Sequence, residues 1–149
     1  MKHFPDLPPV WTLSAIVFSW VLAQLMPLAT VQSVGLRWLG LIWIGMGLLL
    51  IFWSAIWFRR KNTTIEPHHT PTVLIVEGPY RLTRNPIYLA MVVGAAGFAL
   101  WTGALSAILP VAALVVILQN RFVLPEEARL RVQYGAGAEE YFSKTRRWV

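Results

Sequence analysis

The chain reads as an all-α integral membrane protein, with four transmembrane helices, a cytosolic loop and interfacial helices at its C-terminus. Three observations predict this class. Of its 149 residues, 56% are hydrophobic and only 13% charged, more apolar surface than a soluble domain of this size can bury. The apolar residues are gathered into four long runs. Backbone inside lipid must satisfy its own hydrogen bonds, which leaves helices, since a barrel would need many more segments of alternating pattern.

The elements follow in order, within one domain over residues 1–149. The first run covers residues 8–30, carries no charge and is interrupted by Pro27. The segment before it, MKHFPDLPPVW, resembles a signal peptide only superficially, because Asp6 and three prolines sit in the flank and no small-residue cleavage site follows. A retained anchor is expected. The second run, 34–58, includes only Arg37 near its start, and Gly40, Gly45 and Gly47 would permit close helix packing. A polar loop over residues 59–85 follows, with a short β-branched run at 72–76. The third run, 86–101, ends at the turn Thr102-Gly103, and the fourth covers 104–123. Pro125 suits the first position of a new helix over 125–134, with Glu126 and Glu127 in its first turn and Gly135 as its stop. A last short helix, 138–145, sets Tyr141 and Phe142 beside Lys144, Arg146, Arg147 and Trp148, a mixture expected at the lipid headgroup level.

With four crossings, Arg37 is the one basic residue of 13 on the far side, and all seven acidic residues share the near side. The positive-inside rule then puts both termini in the cytoplasm. The net charge of +6 is explained by topology and anionic headgroups, and no basic stripe outside the membrane flanks points to nucleic acid. The absence of cysteine removes disulfides, thiolate nucleophiles and Cys-ligated metals. His68 and His69 lack a third ligand at suitable spacing, so no metal is expected.

Two polar clusters bracket the last hairpin. Residues 78–88 read GPYRLTRNPIY, and the pair Glu126-Glu127 follows after the largely apolar stretch 89–125. Its 37 residues suffice for two helices of about 18, each close to the length that crosses a hydrocarbon core of about 30 Å. Two crossings return the chain to the side it left, so the clusters can meet. Each residue also has a purely structural role open to it. Arg84 can be a positive-inside anchor, Asn85 and Pro86 a helix entry, Tyr88 an interfacial aromatic, and the glutamates a first turn stabilised by the helix dipole. The co-occurrence across a hairpin favours a site, because ionisable groups near spans are costly without a purpose.

The ordered set Arg84-Asn85-Pro86-Ile87-Tyr88, Glu126-Glu127-Ala128-Arg129-Leu130, Tyr134-Gly135 and the tail from Tyr141 to Trp148 resembles the isoprenylcysteine carboxyl methyltransferase and phospholipid methyltransferase superfamily, as a short bacterial-type member of the inner membrane. The likeness covers roughly residues 62–149; the first two helices match only as generic hydrophobic spans. It implies S-adenosylmethionine as methyl donor. By carry-over, Thr72, Val73, Leu74, Ile75 and Tyr80 would contact its nucleoside, Asn85, Pro86, Ile87 and Tyr88 would line the pocket, and Glu126 would bind it. Arg84, Arg121 and Glu127 are the candidate catalytic residues, Arg121 lying close to where relatives place a substrate-binding arginine. Histidine is the family's more familiar residue at position 85, so Asn85 is a departure.

The residue types suit such a donor, whose carboxylate, ammonium and sulfonium call for a cation, an acceptor and polar groups together. A pocket at the membrane boundary would take this donor from water and a lipophilic or lipidated acceptor from the bilayer. No nucleophilic side chain is required, and catalysis would be positioning and desolvation. An isoprenylcysteine carboxyl O-methyltransferase-like activity is the expectation, with a phospholipid N-methyltransferase, an NADPH-dependent sterol-reductase-like enzyme and a non-catalytic membrane subunit as alternatives. Neither the acceptor nor the oligomeric state is legible.

Overall fold

The computed structural model describes residues 6–61 and 73–149, and these are mostly helical, joined by turns and short extended segments, with one isolated bridge pairing Thr30 with Ala104. Helix α1, Pro8–Leu25, opens with prolines in its first turn, where their missing N–H is not needed. It stops five residues short of the expected end at 30. Pro27 disfavours the helical conformation for Met26, and the chain leaves the helix there. Helix α2, Val34–Arg60, runs two residues beyond the apolar stretch, with Arg59 and Arg60 in its last turn where cations favour the helix dipole. Helix α3, Pro86–Thr102, ends at Gly103, whose φ of 71° is the left-handed value that glycine adopts without strain.

The fourth run departs most from expectation. A 3₁₀ turn at Leu105–Ala107 leads into α4, Ile108–Leu118, then a π-helical turn, Gln119–Val123, and α5, Leu124–Tyr134, with no break between them. The helices expected at 104–123 and 125–134 are thus one rod. Pro125 cannot donate to the carbonyl four residues back and its ring would press on it, and the widened π turn just before it absorbs that misfit. Gly135 turns the chain into α6, Ala136–Lys144, which starts two residues earlier than expected.

Three of these helices, Pro8–Leu25, Val34–Arg60 and Leu105–Tyr134, are long and apolar enough to cross a membrane, and Pro86–Thr102 is apolar but shorter. Helix α3 runs antiparallel to α2. A Cβ on Gly40 would lie 2.5 Å from Gly97 O, and one on Gly47 2.7 Å from Ala90 O, so α2 residues of rising number meet α3 residues of falling number at backbone contact distance. Helix α1 lies antiparallel to α4, with Ser19 Oγ donating to Ala107 O at 2.8 Å and Ser106 Oγ to Leu22 O at 3.2 Å. The core, with Ala95, Ala99, Leu114, Leu118 and Phe122, sits among α1, α3 and α4. Trp38, Ile42, Leu49 and Phe52 on α2 face outward and exposed, as lipid contact demands. This packing brings the start of α1, the end of α2, the start of α3 and the rod's π turn to one end of the bundle. Arg37 lies at the opposite end, hydrogen-bonded to Gln32.

Candidate functional site

At the polar end, helical phase decides what each acidic residue meets. Adjacent helix positions point about 100° apart, so Glu126 and Glu127 face different neighbours. Glu126 accepts a hydrogen bond of 2.5 Å from Tyr88 Oη on α3, and the Tyr88 ring packs on Phe122 from the turn below. The expected meeting across residues 89–125 is therefore present in atomic detail. Tyr80 belongs to the same neighbourhood. Burial raises its pKa well above the ordinary tyrosine value, with Tyr141 and Glu126 adding to the shift, so its hydroxyl stays protonated.

Glu127 turns the other way and is 2% exposed. Its carboxylate accepts Arg84 Nη1 at 3.1 Å and takes both Nε (3.0 Å) and Nη2 (2.8 Å) of Arg147, a two-pronged geometry suited to guanidinium. The bonds to Glu127 raise the Arg147 pKa further, so it is a permanent cation. Arg84 is also engaged by the fold. Its Nε donates to Thr145 O (2.6 Å), its Nη2 to Phe142 O (2.7 Å), and its guanidinium lies 4.5 Å over the Phe142 ring. Arg84 N donates to Arg146 O at 3.0 Å, while Thr83 Oγ1 and Asn85 Nδ2 each donate to Arg147 O at 3.0 Å. Residues 83–85 and 145–147 are thus stitched together.

A second apolar cluster supports this end. Ile75, Tyr80, Ala138, Tyr141 and Phe142 are buried, with Trp57, Phe58 and Leu130 packed against them. Tyr141 Oη donates to Tyr80 O at 2.8 Å, and burial raises the Tyr141 pKa. Tyr141 and Phe142 therefore face the protein, in contrast to their expected place among headgroups. Gly78 (φ 60°) is seated against Trp57, where any Cβ would collide with the indole.

The expected donor-site residues divide accordingly. Tyr80, Asn85, Pro86, Tyr88 and Ile75 are buried at this end, Ile87 and Leu74 are half-buried, and Val73 is exposed. Thr72, His68 and His69 lie outside the described residues. Arg121 is not brought to Glu126. It sits in the π turn facing α1, donating to Asp6 Oδ2 at 2.9 Å with its guanidinium 5.5 Å over Trp11. Sequence reasoning missed Thr83, Thr145 and the role of Arg147. The available signal was an Arg-Arg pair in the tail together with two adjacent glutamates, of which helical geometry lets only one face Tyr88. Among the described residues no group of acidic and histidine side chains is arranged to hold a metal.

The profile of the phospholipid methyltransferase family matches residues 36–137, about two thirds of the chain. The chain belongs to the phospholipid methyltransferase family. This agrees with the superfamily resemblance carried by residues 84–88 and 126–130. Neither a curated protein nor a solved structure matches the chain. Membership makes it a methyltransferase of a membrane family. The matched segment holds α2 to α5, and so both Tyr88 and Glu126, but ends before the tail that grips Glu127.

Proposed function

We propose that the chain is an integral membrane methyltransferase that takes its methyl group from S-adenosylmethionine and delivers it to a lipid-borne acceptor at the cytoplasmic face. On this reading α3 also crosses the bilayer, making four spans with both termini inside. The Tyr88–Glu126 pair carries the proposal: a half-buried carboxylate, met by a tyrosine hydroxyl from another helix at the end of an apolar bundle, is costly unless it serves a ligand.

The residues suit this donor. When bound, it supplies a methyl group on a positively charged sulfur. The Glu126 carboxyl oxygens can accept hydrogen bonds from the donor's ammonium. Tyr88 orients that carboxylate, and Asn85 lies at the entry to the same helix. The buried cluster of Ile75, Tyr80 and Phe142 backs this end of the bundle with apolar side chains. Arg84 and Glu127 then serve as supports, since both are consumed by contacts within the fold. The acceptor is a lipid-borne amine, as in the phospholipids of the family name, or the carboxylate of a prenylated cysteine. Either enters from the apolar side, and the chain's part in the reaction is to orient it and exclude water.

The test is calorimetric titration of the purified protein with S-adenosylhomocysteine, followed by transfer of labelled methyl groups to lipid extract and to a farnesylated cysteine analogue. Micromolar binding and labelling of one acceptor are expected. Binding of NADPH instead, or of neither ligand, would remove the proposal.

A further inference from the structure

We propose that residues 145–148 form a strap that locks the donor site, with Arg147 as its positioning residue; this rests on reading Tyr88 and Glu126 as the groups that contact the donor. The strap touches each element that carries the site. On one side, the Arg147 carbonyl accepts both Thr83 Oγ1 and Asn85 Nδ2, in the three residues that lead into α3 and Tyr88. On the other, the Arg147 side chain grips Glu127, the neighbour of Glu126 on α5. One residue thus holds both halves of the Tyr88–Glu126 pair, its backbone on the tyrosine side and its guanidinium on the glutamate side. Trp148 extends the strap to the rod, with Nε1 donating to Gln119 Oε1 at 3.0 Å at the start of the π turn and its ring against the core of α1, α3 and α4.

The chemistry makes these contacts interdependent. Glu127 is buried between two arginines, so loss of the Arg147 side chain leaves it the single prong from Arg84, and the tail is then tied to residues 83–85 through its backbone carbonyls without its anchor on α5. Arg84 depends on the same tail through Thr145 O and Phe142 O. A shift of the first turn of α3 relative to α5 would separate Tyr88 from Glu126 directly, and displacements of about 1 Å at a reacting geometry are worth up to about a hundredfold in rate.

The test uses the full chain in detergent with Arg147→Ala, Arg147→Lys and, as a surface control, Lys144→Ala, whose ion pair with Glu140 is exposed. Hydrogen–deuterium exchange without ligand is compared with S-adenosylhomocysteine affinity. In Arg147→Ala, exchange should rise severalfold over residues 86–92 and 124–130 and stay unchanged over 108–118, with affinity lower by about tenfold or more. Arg147→Lys, which keeps the charge but loses the fork, should recover part of both, and Lys144→Ala should alter neither. Unchanged exchange at 86–92 in Arg147→Ala overturns the lock whatever the affinity does. So does a rise that includes 108–118, because that is general unfolding. A confined rise in exchange when the wild-type protein binds no S-adenosylhomocysteine supports the lock and removes the donor reading instead.

Discussion

Along α2 and α3 the two helices meet through Gly40, Gly47 and Gly97, where backbone touches backbone and fit is a matter of shape. At the start of α3 contact instead runs through Arg84, Asn85 and Tyr88, each bonded to a named group on α5 or the tail. The first interface asks only for glycine, since even a Cβ at these positions would press on the facing backbone. The second fails if one partner is missing, because a buried polar group left alone is far more costly than an apolar contact forgone. The same helix therefore has a body that sets where it lies and an end that sets what it can do.

That contrast can be broken most severely at Glu127. Glu127→Ala leaves Arg84 and Arg147 facing each other without their anion, and removal of one partner from a buried ion group costs about 3–5 kcal/mol. Denaturant titration in mixed micelles should register this loss, and a change below about 1 kcal/mol would mean the cluster is solvated in practice. Next in size is the shape-based interface. Gly40→Leu inserts a side chain where even a Cβ lies 2.5 Å from Gly97 O, so α2 must move away from α3, at a cost of about 1–3 kcal/mol or more. The two variants should differ in kind: Gly40→Leu lowers the melting temperature with ligand affinity per folded molecule preserved, whereas Glu127→Ala lowers both.

The same division explains how much could be read in advance. Spans were visible because lipid imposes length and composition on any crossing helix, and the meeting of residues 78–88 with Glu126-Glu127 followed from parity of crossings; that Tyr88 pairs with Glu126 and Arg84 with Glu127 did not follow. The rod through Pro125 was not visible, since a proline reads as a break and the π turn that accommodates it has no sequence signature of its own. Nor was the strap, because Arg146, Arg147 and Trp148 carry the same composition as a headgroup anchor. What distinguishes them is the partner, Glu127, which lies 20 residues away and is chosen by helical phase.

Ser19 gives a smaller test of the apolar body. Ser19→Ala removes the α1 hydrogen bond to Ala107 O and should cost about 1 kcal/mol, read from the same titrations. The smallest effect is expected at Arg121, and it sharpens the comparison most directly. Its ion pair with Asp6 is half-exposed, and such pairs contribute about 0–1 kcal/mol, so Arg121→Ala should scarcely change stability. The π turn directs Arg121 toward Asp6 and Trp11, while Phe122 packs on Tyr88, so donor affinity should also stay within about twofold, under about 0.5 kcal/mol. A tenfold loss of S-adenosylhomocysteine binding in this variant would mean that Arg121 exchanges Asp6 for the donor's carboxylate, and the site would then extend across the rod to the α1 side.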